Sequence, residues 1–137
     1  MAKKIKANGE DTLPKVLLAP NEQVPFDSPL LKWPMFGSTK FDGNRNALLS
    51  GEFRTRSMKL QANDHLPEHF AEITAYSKKH RLVFDGEIWS PELTFSQLQE
   101  VIRAYDKPIP EHVGFYIFDV MTETEWCMDD QTFKPYK

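Results

Sequence analysis

The sequence predicts an α+β domain, and three observations carry that expectation. Short β-rich runs alternate with tight-turn dipeptides, two well-separated stretches have helical periodicity, and the links between runs are mostly of hairpin length. Strands mixed with two separated helices and joined mostly by such short links make an α+β domain rather than a doubly wound one.

Taken in order, residues 1–13 form a basic arm with Lys3, Lys4 and Lys6 and almost nothing apolar, expected to be flexible. Residues 14–34 carry prolines at 14, 20, 25, 29 and 34 among Val16, Phe26, Leu30 and Trp33. Prolines so spaced forbid a long helix and suggest an extended strap laid over a core. Strands are expected over 46–49, 52–55, 81–84, 87–89 and 113–120, with Asp42-Gly43, Ser50-Gly51 and Asp85-Gly86 as turns between them.

One helix is expected over 65–80, with Asp64 as N-cap, Pro67 in the first turn, Phe70, Ile73 and Ser77 on one stripe, and Lys78, Lys79 and His80 at the negative end of the dipole. A second is expected over 94–105, where Thr94 and Gln97 have capping-box spacing and Leu98, Val101, Ile102 and Tyr105 make one apolar face.

Composition narrows the function classes. A chain of 137 residues that is 40% hydrophobic and 27% charged is a folded domain rather than a disordered tail. The lone Cys127 excludes an internal disulfide and suits a reducing compartment, so cytoplasm is expected. No apolar run is long enough to span a bilayer, and no membrane partner is expected. The net charge of −3 does not favour a polyanion, so any nucleic-acid contact must come from a local patch. His65 and His69 stand four apart beside Asp64 and Glu68, but Pro67 lies between them, and helix-end residues are expected rather than a zinc pair.

The chemistry gathers around Lys40. In Thr39-Lys40-Phe41-Asp42-Gly43-Asn44-Arg45, a hairpin turning at Asp42-Gly43 would set Lys40 and Arg45 on opposing strands, where both could meet one phosphate. A free lysine is only about 0.04% neutral at pH 7, so a nucleophilic one needs desolvation or neighbouring positive charge, which Arg45 could supply.

The ordered set KFDGNR at 40–45, RTRSMK at 54–59, VFDGEIW at 83–89 and FYIFDV at 115–120 resembles the motif series of the covalent nucleotidyltransferases, the superfamily of ATP-dependent DNA ligases, RNA ligases and mRNA capping enzymes. The run RTRSMK looks most like the phage-type ATP-dependent DNA ligases, and the resemblance spans about residues 29–121. It implies the N-terminal part of their adenylation domain over 14–137, an ATP-grasp-like fold of antiparallel sheets flanked by helices.

The resemblance also assigns roles. Lys40 would attack the α-phosphate of ATP, hold AMP as a phosphoramidate and pass it to the 5′-phosphate of a nick in double-stranded DNA, work belonging to DNA repair, replication or recombination. Thr39, Arg45, Glu87 and Phe118 would bind ATP or AMP: Arg45 near ribose and phosphates, Glu87 at the ribose or a divalent metal, and Phe118 stacked on adenine, with core packing as the alternative for Phe118. Asp42 and Arg56 would face the polynucleotide. ATP and Mg2+ are the implied cofactors, and the cytoplasm would be the host's if the protein is phage-encoded.

Against that resemblance, residues 14–137 are expected to be a partial domain that lacks the family's later motifs and its OB-fold domain. The expected readings are therefore a split ligase completed by a second polypeptide, an inactive remnant, or a fragment, each with an uncovered apolar edge through which copies could associate. An RNA ligase and a non-catalytic nucleotide-binding or interaction module are the alternatives.

Overall fold

A computed structural model describes Val16, residues 24–35 and residues 37–127. The basic arm at 1–13, most of 14–23 and the tail at 128–137 lie outside the described residues. The protein is a mixed α/β fold with one four-stranded sheet, in the chain order β1 (Asn44–Leu49), β2 (Glu52–Thr55), α1 (Leu66–His69), α2 (Ala71–His80), β3 (Leu82–Trp89), α3 (Phe95–Arg103), β4 (Gly114–Thr122) and α4 (Glu123–Cys127). The strand order is β2-β1-β3-β4, and every neighbouring pair is antiparallel.

The β1–β2 hairpin turns at Ser50 and Gly51, as expected, with φ of 53° and 78°. Two successive positive φ values match the twist of a two-residue hairpin, and Gly51 adopts its own at no steric cost. The pairing Leu48↔Phe53 then follows from the short loop.

The expected turn at Asp85-Gly86 does not exist. Residues 82–89 are one continuous strand, not two, and they pair with β1 on one side and β4 on the other. Two ladders of backbone hydrogen bonds outweigh the local turn preference of an Asp-Gly pair. Gly86 serves close packing instead: a Cβ there would stand 2.6 Å from the Tyr116 carbonyl oxygen and 2.7 Å from the Phe115 ring.

Each face of the sheet has its own apolar cluster. Leu48, Phe53, Phe84 and Ile88 face the helices and pack with Leu66, Leu98, Ile102 and Val113. Ala47, Leu49 and Val83 point the other way and pack with Val16, Met58 and Trp126. Burying each such Leu or Ile is worth roughly 1.5–3 kcal/mol, which fixes the register because a slip by one residue would exchange the two faces.

The expected helix over 65–80 is two helices, broken at Phe70 (φ −107°, ψ 42°). The break lets Phe70 pack on Phe53 and Phe115. Asp64 is not the N-cap; His65 holds that position with no side-chain cap, and its N–H donates to Asn63 Oδ1 instead. The second helix forms with both bonds of the Thr94–Gln97 capping box and buries Leu98, Val101 and Ile102. Tyr105 falls beyond its end and is exposed.

Residues 24–34 turn twice, with Ser28 N–H donating to the Pro25 carbonyl and Leu31 N–H to that of Ser28. Phe26 and Leu30 are about 80% exposed, so this stretch is neither extended nor laid over the core. Val16, from the same proline-rich segment, is buried in the second cluster. Among the described residues, no helix is long and apolar enough to cross a membrane.

Candidate functional site

Cross-strand register decides which side chains share a face. Arg45 on β1 lies opposite Glu87 on β3, and Glu87 lies opposite Tyr116 on β4. Directly opposed residues point to the same side of a sheet. This is the face turned away from α1–α3, and it carries Arg45, Asp85, Glu87, Trp89 and Tyr116.

Between Asp85↔Asp119 and Gly86↔Ile117 the register shifts, leaving Phe118 as one extra residue in β4. Such a bulge re-aims the extra side chain. Phe118 therefore does not follow the alternation its neighbours suggest: its ring lies 4.4 Å below the Arg45 guanidinium carbon, in cation–π contact. It is 42% exposed and, among the described residues, belongs to neither apolar cluster.

Arg45 reaches past Glu87 to the diagonal carboxylate. Its Nε donates to Asp85 Oδ1 at 2.6 Å and its Nη2 to Asp85 Oδ2 at 2.7 Å, a bidentate pair with Asp85 only 4% exposed. Burial works against the arginine's charge, but the Asp85 hydrogen bond and the negative field of Asp85, Glu87 and Asp119 outweigh it and hold Arg45 above its ordinary value. Burial pushes the Glu87 carboxyl up, against the opposing pull of the Gly43 N–H and Arg45.

Lys40 is not in a hairpin with Arg45. It lies in the loop before β1, where it and Thr39 are exposed, and Arg45 pairs with β3 instead. What fixes this loop is Phe41, whose ring stacks on Tyr116 at 4.5 Å and Trp89 at 4.9 Å, and Gly43, whose N–H donates to Glu87 Oε1 at 3.2 Å. Since Phe41 rests on two residues of the Arg45–Glu87 face, Lys40 is tethered one residue from that face. Asp42 is exposed on the same loop, and Arg56 is exposed in the turn that follows β2.

The base of the site rests on amides that sequence reasoning missed. Asn44 and Asn46 flank Arg45 and point to the helix side, where Asn44 Nδ2 donates to Gln99 Oε1 at 3.0 Å and Gln61 Nε2 donates to Asn46 Oδ1 at 2.6 Å. The one available signal was the Asn-x-Asn alternation in a run otherwise read as apolar strand. Asp85 was missed because it was read as a turn residue.

The histidines do not form a pair. His65 Nε2 meets Asp106 Oδ1 at 2.8 Å, whereas His69 Nε2 meets the Val113 carbonyl at 2.9 Å. Asp64, His65 and Asp106 do stand close enough to share an ion. A hydrogen bond of 2.7 Å joins Ser90 Oγ to His112 Nδ1, but Ser90 is buried and also accepts the Glu92 N–H, which suits a loop brace rather than a nucleophile.

No family model matches the chain, and no curated protein matches it. Two solved structures, named Pmar-Lig_PreS3 and Pmar-Lig_Pre, resemble it with a TM-score of 0.49 and 20% identity each, over 64% of this chain and 21% of theirs. The chain thus spans about a fifth of the length of those structures. What the site can do is decided by its own side chains.

Proposed function

We propose that this chain is the nucleotide-handling part of an ATP-dependent polynucleotide ligase, with Lys40 as the acceptor of AMP and nicked DNA as the substrate. The observation that carries the reading is convergence. Arg45, Glu87 and Phe118, drawn from three segments up to 73 positions apart, stand together on one sheet face, and the Lys40 loop is pinned to that same face. An aromatic ring for a purine, an arginine for phosphate oxygens and a carboxylate for a hydroxyl form a complementary set for a nucleotide.

In the reaction, neutral Lys40 Nζ would attack the α-phosphorus. The bond from that phosphorus to the bridging oxygen breaks, pyrophosphate leaves with the electron pair, and the nitrogen gives up its proton to solvent or phosphate. Thr39 would line the nucleotide, and Asp42 and Arg56, both exposed, would be placed for the polynucleotide. Glu87 offers one carboxylate to a ribose hydroxyl or a cation, while both Asp85 oxygens are engaged by Arg45. That is too few donors for a protein cage, so Mg2+ would arrive on the triphosphate as part of the substrate.

The test is incubation of the protein with ATP and Mg2+, read by intact mass. Addition of one AMP, lost in Lys40→Ala, supports the reading; absence of the adduct, or its persistence in Lys40→Ala, overturns it. A non-catalytic nucleotide-binding module is the second reading, favoured by one feature: Arg45 is set against Asp85, Glu87 and Asp119, so among its described residues the face does not itself supply the positive charge that phosphoryl transfer draws on. A second polypeptide, meeting the sheet at β4 where Ile117 and Val120 are exposed, would supply it in a split enzyme. ATP binding without an adduct favours the module, and rates on nicked DNA against nicked RNA separate a DNA from an RNA ligase.

A further inference from the structure

We infer that Asp85 is a positioning residue for nucleotide recognition: it draws Arg45 away from Glu87 and lays its guanidinium over Phe118, which leaves Glu87 available to the ligand. The inference rests on the nucleotide reading above and goes beyond it, since Asp85 itself touches no ligand in it.

The register makes the argument. The carboxylate directly opposite Arg45 is Glu87, whereas Asp85 lies opposite Ala47, two residues along β1. A side chain as long as arginine reaches both its direct cross-strand neighbour and the diagonal one, so Glu87 and Asp85 are both open to it. Arg45 leans along the strand to Asp85, and both of its bonds to that residue are short. A bidentate pair fixes the plane of a guanidinium as well as its place.

The lean has a direction. Asp85 sits at the point where the β3–β4 register shifts, so an arginine held by Asp85 is carried to the bulge and onto the Phe118 ring. Glu87, relieved of Arg45, receives the Gly43 N–H that anchors the Lys40 loop. One buried carboxylate thereby sorts the face into an oriented cation, an aromatic surface and a second carboxylate with its own task.

If Asp85 loses its charge, Arg45 is expected to fall back on Glu87. Glu87 is then taken up in an ion pair, and the guanidinium leaves Phe118. Asp85→Asn keeps the size but offers Arg45 one acceptor in place of two, so it removes the charge and the bidentate pair while keeping the packing.

The experiment measures the rate of AMP adduct formation against ATP concentration for wild type, Asp85→Asn, Arg45→Ala and the double variant, with thermal unfolding of each. The expected result is a fall of about 10- to 100-fold in kcat/KM for Asp85→Asn, mostly through KM, because partners that only orient a binding group act at this scale. The double variant is expected to be no worse than Arg45→Ala alone, since Asp85 then has nothing left to position.

Wild-type kinetics in folded Asp85→Asn, or losses that multiply in the double variant, would each overturn the inference while leaving the nucleotide reading in place. Should Asp85→Asn not fold, the same measurements on Asp85→Glu, which keeps the charge, are expected to stay within a few fold of wild type in KM, and a loss as large as that of Arg45→Ala overturns the inference. A wild type that neither forms the adduct nor binds ATP overturns the nucleotide reading, and the inference with it.

Discussion

Substituting Gly43 with alanine should damage both the fold and the proposed site, and the structure gives the size of the effect. A Cβ on residue 43 would lie 2.3 Å from the Ile88 carbonyl oxygen, 2.8 Å from Glu87 Cγ and 3.0 Å from Trp89 Cβ. The first contact is about 1 Å inside ordinary van der Waals distance, and it is made with backbone, which cannot rotate away. The loop must therefore lift off β3 by about that distance. Overpacking of this kind costs about 1–3 kcal/mol, or roughly 3–15 °C in Tm for a domain of this size.

Lifting the loop also breaks the Gly43 N–H bond to Glu87 and pulls Phe41 from Tyr116 and Trp89. Lys40 moves with it, and a 1 Å displacement of a reacting group is worth on the order of 100-fold in rate. Thermal unfolding followed by circular dichroism, together with the AMP-adduct assay, measures both effects. A Gly43→Ala protein with wild-type Tm and wild-type adduct rate would refute the claim that β3 positions the lysine loop.

Three further outcomes are expected. Thr94→Ala removes the side chain that accepts the Gln97 N–H at the start of α3 and should cost about 1 kcal/mol in chemical denaturation without altering nucleotide binding. His65 is held above its ordinary value by its hydrogen bond to Asp106, so its share of stability is fully present below the unfolded-state value and is lost as pH rises through the folded one; NMR titration should show the imidazole moving back down in Asp106→Asn. Glu87 is raised by burial, so its contribution is likewise lost as pH rises through its folded value, and Glu87→Gln, which can still accept the Gly43 N–H, should unfold at a higher temperature than wild type at neutral pH while binding ATP more weakly.

What the sequence determined by itself is local. The Thr94–Gln97 capping box, the Ser50-Gly51 turn and, apart from Tyr105, the apolar stripe of Leu98, Val101 and Ile102 depend on residues within a few positions of one another, and they formed. The grouping of Arg45, Glu87 and Phe118 was named as a set from motif order, but how they meet was not legible. Tertiary structure alone decided that Asp85-Gly86 runs through a central strand, because two neighbouring ladders outweigh one turn preference. It alone broke the first helix at Phe70, where packing against Phe53 and Phe115 overrides helical continuity. And it alone set Arg45 on Asp85 over Phe118, since that choice depends on a bulge between strands whose register no local spacing encodes.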